Sequence, residues 1–77
     1  MRSALRNHLK VHRAKAGLTQ AKLAEAVSVS RKTINTIENN VFVPSTVLAL
    51  KIAAALGVSV HDLFELESEV PRKPKAT

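Results

Sequence analysis

The sequence predicts an all-α domain, a compact bundle of five helices, and three observations carry that prediction. Apolar side chains recur at helical spacing in short segments, and the last four segments are led in by Thr19, Ser30, Ser45 and Ser59, residues suited to N-capping. Abundant Ala, Leu and Val, with only two Gly and three Pro, show no sign of hairpins. Finally, 77 residues without cysteine allow one small core, with neither disulfides nor thiolate metal ligands to support it.

Met1–Ala16 reads as the first helix, with Leu5, Leu9 and His12 on one face and Gly17 just past its end. His8 and His12 stand four apart, but no acid or third ligand is near in sequence, so a metal site is not expected. His12 instead reads as a packed residue at the core edge. The second helix follows Thr19 and turns Leu23, Ala24 and Val27 inward, with Leu18 stapling to Leu23. Val27-Ser28-Val29-Ser30 interrupts it. The third helix starts after Ser30, with Val29 stapling to Ile34 and with Ile34 and Ile37 as its inward stripe. Its outward residues are Arg31, Lys32, Asn35, Thr36 and Asn39, all cations or amide and hydroxyl donors. Such a helix is suited to face nucleic acid, and the pair reads as a helix-turn-helix.

Val41-Phe42-Val43-Pro44 is an extended connection, with Phe42 expected over the edge of the core. The fourth helix, Thr46–Leu56, turns Leu48, Ala49, Ile52, Ala53 and Leu56 inward and stops at Gly57. A second stripe, Val47, Leu50 and Ala54, lies on another side of it. One helix of a small monomer has no use for two apolar stripes, so this one, with Phe64, is the expected dimer contact. Ser59 to Asp62 forms a capping box for a short fifth helix, Val60–Leu66, which buries Leu63 and part of Phe64. The domain therefore spans residues 1–67. Residues 68–77 hold two Pro and three cations and read as a disordered basic tail.

The net charge of +6 is unevenly spread. Met1–Pro44 carries eight Lys or Arg against two acids, whereas Ser45–Glu69 carries one cation against four acids. That asymmetry suggests one face for phosphates. No apolar run approaches a membrane span and no signal-peptide core is visible, so a cytoplasmic protein with no membrane partner is expected.

The pattern Gln20-x-x-Leu23-Ala24-x-x-x-x-Val29-Ser30-x-x-x-Ile34-x-x-Ile37-Glu38 resembles the Cro/repressor-type, XRE-like helix-turn-helix regulators. The likeness continues through Pro44-Ser45, Leu48 to Ala53 and Leu56 to Ser59, covering roughly residues 5–66. It implies a bundle of the lambda-repressor-like DNA-binding type. Three positions depart from the family pattern: Ser28 and Asn40 stand where Gly is usual, and Val41 where a cation is frequent. Asn enters the left-handed region readily, Ser less so.

The resemblance implies a sequence-specific regulator of transcription, a repressor, binding an inverted-repeat operator in double-stranded DNA as a homodimer. Arg31, Lys32, Asn35 and Thr36 are the expected base readers, since Arg matches guanine and Asn matches adenine. Thr19 and Gln20 at the second helix's start are expected on phosphate. Ser30, Thr33, Asn39 and Asn40 join them by family analogy. Arg13 matches a family arginine that pairs with the glutamate of the recognition helix, here Glu38, which would otherwise bring an unpaired carboxylate beside the core. The alternative is an antitoxin or protein-interaction module with secondary DNA binding, which calls for apolar residues on the third helix's outer face. An enzyme needs a nucleophile and base or paired carboxylates in a cleft, which this chain lacks, and no cofactor is expected.

Overall fold

A computed structural model describes residues 5–67. Residues 1–4, and with them the start of the expected first helix, lie outside those residues, as does the expected tail. The described chain enters as a strand, β1 (Leu5–Asn7), before turning into α1 (Leu9–Lys15). There follow α2 (Gln20–Ala26), α3 (Arg31–Glu38), α4 (Thr46–Leu56), α5 (Val60–Leu63) and a closing strand, β2 (Phe64–Leu66). Five helices form the fold, as the sequence predicts.

The caps form as read. The hydroxyls of Thr19, Ser30, Ser45 and Ser59 accept the N–H groups of Lys22, Thr33, Leu48 and Asp62 at 3.0 to 3.2 Å. The Asp62 carboxylate returns the bond to the Ser59 N–H at 2.9 Å, and that backbone bond, aided by the Ser59 hydroxyl, holds its pKa below the usual carboxylate range.

Two helix boundaries are corrected. Residues 5–7 are not helical, because β1 pairs antiparallel with β2, setting Leu5 opposite Leu66, Arg6 opposite Glu65 and Asn7 opposite Phe64. Asn7 then turns the chain: its Oδ1 accepts the Leu9 N–H at 3.2 Å, while its Nδ2 donates to Ile37 O at 3.0 Å and Asn40 Oδ1 at 2.7 Å. A helix through residues 5–8 would give up all of these bonds. For the same reason the fifth helix ends at Leu63 and not Leu66. His8 consequently precedes α1 and does not share a helical face with His12; its Nε2 meets Glu65 Oε1 at 2.9 Å.

Leu9, Leu23, Ile34, Ile37, Ile52 and Leu63 are completely buried, so every helix sends at least one large side chain into one core. Phe64 belongs to that core at 8% exposure, which withdraws it from the expected dimer contact. Phe42 is 46% exposed and lies outside the buried cluster, contrary to its expected seat on the core edge. Val47 and Leu50 remain 64% and 54% exposed on α4, and Ala54 is exposed as well. No helix among the described residues is long and apolar enough to cross a membrane.

Both departures at glycine positions are left-handed, Ser28 at φ 62° and Asn40 at φ 61°. A Cβ in that region costs of order 1 kcal/mol, less for Asn than for Ser. Ser28→Gly is therefore expected to stabilise the fold by roughly 0.5–1 kcal/mol, read as a higher melting temperature. A lower one would show that the exposed Ser28 gains more from its side chain than it loses in the turn.

Candidate nucleic-acid interface

Glu38, at the last position of α3, anchors the interface. Its side chain is only 4% exposed, yet it is fully partnered. Arg13 Nε donates to Oε2 at 2.6 Å and Nη2 to Oε1 at 3.2 Å, a bidentate pair, while Nη1 reaches Leu18 O at 2.8 Å. Gln20 Nε2 adds a bond to Oε1 at 3.0 Å. Burial pushes the Glu38 pKa up, but the hydrogen bonds from Arg13 and Gln20 and the charges of Arg13 and Lys10 together hold it below the usual range. The hydrogen bond to Glu38 in turn raises Arg13 against the effect of burial. One ion pair thus ties α1, the entrance of α2 and the end of α3 together.

The polarity of that pair passes outward to the surface. An ionised carboxylate only accepts, so Gln20 must turn its amide nitrogen to Glu38 and its Oε1 the other way. Oε1 faces Asn35 Nδ2 at 3.5 Å, at the long limit of a hydrogen bond. Asn35 Oδ1 then accepts from Asn39 Nδ2 at 3.2 Å, and Asn39 Nδ2 also reaches Asn35 O at 3.0 Å. Asn35 keeps one N–H and one lone pair free, which are the two groups that adenine N7 and N6 require. The sequence offered Gln20 an obvious partner in phosphate and so concealed this role, although one Nε2 hydrogen stays available.

The other expected contact residues take varied places. Arg31, Lys32 and Asn35 are exposed on α3, and neither cation joins an ion pair among the described residues. Thr36 is half-buried and donates its hydroxyl to Thr33 O at 2.9 Å, leaving a base only an acceptor and a methyl group. The Ser30 and Thr33 hydroxyls bond each other at 3.0 Å, and Thr19 Oγ1 is occupied as a cap. Asn40 holds Asn7 through its Oδ1, so its first duty is to dock β1 on the end of α3. Among the described residues no three metal-ligating side chains gather.

A helix-turn-helix family model matches residues 9–63, well over half of the chain. The chain is 45% identical over 65 residues to an uncharacterised HTH-type transcriptional regulator of Bacillus subtilis, YgzD, covering 84% of this chain and 98% of that one. The same identity and coverage relate it to MJ0272, another uncharacterised HTH-type regulator, from Methanocaldococcus jannaschii. Among solved structures, it is similar to the biofilm master regulator SinR in complex with DNA, at 35% identity and a TM-score of 0.65, covering 69% of this chain and 86% of that one. The chain belongs to the Cro/C1-type, XRE-like helix-turn-helix family of DNA-binding transcriptional regulators.

Proposed function

We propose that the protein is a sequence-specific repressor that reads the major groove of double-stranded DNA with α3, as a homodimer on an inverted-repeat operator in the cytoplasm. The observation that carries this is the division of α3 into two faces. Ile34 and Ile37 are fully buried, while Arg31, Lys32, Asn35 and Asn39 stand exposed on the other side. Arg31 and Asn35 address guanine and adenine edges, Lys32 and Thr36 lie beside them, and the α2 entrance with Thr19 and Gln20 meets phosphate. Ser30, Thr33, Asn39 and Asn40 flank the same path along the backbone. A protein-interaction module would put apolar side chains on that outer face of α3, where these polar ones stand.

Dimerisation follows from reach, because one helix in one groove covers few base pairs and a second half-site supplies the remaining specificity. Val47, Leu50 and Ala54 offer the exposed apolar patch for it on α4. Selection of bound duplexes from a random pool is expected to return inverted half-sites centred about 34 Å apart. Sedimentation is expected to show a dimer on that operator. Recovery of a single, unrepeated site bound by a monomer would overturn the dimeric reading, and failure to enrich any sequence would overturn the regulator itself.

A further inference from the structure

Beside α3 runs a stretch of apolar surface for which base reading by Arg31 and Asn35 has no use. Val41, Phe42 and Val43 are 76%, 46% and 56% exposed. Their backbone is nonetheless held: the N–H groups of Val41 and Phe42 both donate to Thr36 O, at 2.9 and 3.2 Å, after the left-handed turn at Asn40. Val41 and Phe42 are thereby fixed against α3, where they form one wall of an open notch of about 330 Å³. That is on the order of ten water volumes, room for the edge of a base.

The other wall keeps only one hydroxyl hydrogen to spare. Thr36 gives its hydroxyl hydrogen to Thr33 O, and the Ser30 and Thr33 hydroxyls are paired. The notch therefore presents mainly methyl and phenyl surface, with Lys32 among its lining residues. A free cation there, next to the equally unpaired Arg31, draws a polyanion and not an apolar protein surface. The major-groove edge of DNA carries a single kind of apolar group, the C5-methyl of thymine.

We propose that this notch receives the C5-methyl of one thymine in each half-site, with Phe42 and Val41 as specificity-determining residues. The proposal rests on α3 facing the major groove, and its test separates the two. Duplexes selected from a random pool are re-made with each thymine in turn replaced by deoxyuridine, which removes only that methyl. Wild-type protein is expected to bind about 4-fold more weakly at one thymine per half-site, the worth of one buried methyl group. Phe42→Ala, folded by circular dichroism because Phe42 lies outside the core, is expected to bind the two duplexes alike, and so is Val41→Ser. Binding that ignores every thymine methyl, or a methyl effect that survives both substitutions, overturns the proposal and leaves the apolar loop to a protein contact. If no duplex is enriched at all, the groove-facing reading of α3 falls first and takes this one with it.

Discussion

Arg13→Ala is expected to lower stability by about 3 kcal/mol, against less than about 1 kcal/mol for Arg6→Ala. Both residues face a glutamate, and the difference is burial. Arg6 lies 4.0 Å from Glu65 with both side chains at least half exposed, so water screens the pair. Arg13 and Glu38 are 14% and 4% exposed, and Arg13 supplies two of the three hydrogen bonds to that carboxylate. Removing the guanidinium strands a charge beside Ile34 and Ile37 and frees Leu18 O as well. Equal melting temperatures for the two variants would refute the clamp.

The same pair fixes a pH dependence. The folded-state pKa of Glu38 lies below its ordinary value, so its contribution is fully present above the ordinary carboxylate pKa of about 4.3 and is lost as pH falls through the depressed one. In Arg13→Ala the opposing influence of Arg13 is gone and burial, the largest single influence on Glu38, pushes its pKa upward. The variant then recovers as Glu38 takes up a proton. The gap in melting temperature between wild type and variant is expected to be widest near neutral pH, to begin narrowing above the ordinary value of about 4.3 as the variant's Glu38 takes up its proton, and to go on closing as pH falls through the wild type's depressed pKa. A gap independent of pH would mean that Arg13 acts through its Leu18 bond and its packing alone.

What the sequence made legible was local. Caps at Thr19, Ser30, Ser45 and Ser59 act within three residues, and the inward stripes follow from period alone, so each helix announces itself. The β1–β2 ladder joins ends of the chain nearly sixty positions apart, and three-residue strands carry no usable alternation. Leu5 lay on the expected first-helix stripe and does pack against the core, but from a strand, so the right partner concealed the wrong element. Phe64 misled in the opposite direction: expected half-buried on a helix and shared with a dimer contact, it stands in extended backbone at φ −133° and is buried in the core. The Gln20 link was hidden by chemistry, since a carboxamide at a helix entrance suits phosphate as well as it suits Glu38. The signal that was present is the motif itself, which sets Gln20, Asn35 and Glu38 on neighbouring elements.

Arg31→Ala and Asn35→Ala should each lower affinity for the selected operator by about 1–3 kcal/mol, roughly 5- to 150-fold, while scrambled duplex is affected far less. Both side chains stand in the first turn and a half of α3, the part of such a helix that enters the groove. Asn35 also arrives with its carboxamide already oriented, since Gln20 takes one of its hydrogens and Asn39 one of its lone pairs. An amide held that way accepts adenine and rejects guanine, whose N7 and O6 are both acceptors. Gln20→Ala leaves Asn35 in place but removes a phosphate contact and releases that orientation, so it should weaken operator and scrambled duplex by a similar factor and, beyond that, relax discrimination at the Asn35 position. Being neutral, Gln20 should leave the slope of log K against log salt nearly unchanged. The measurement is binding of each variant to operator, to single-base variants of it and to scrambled duplex across a salt series. If Arg31→Ala and Asn35→Ala leave the operator-to-scrambled ratio where it was, α3 is not the reading element.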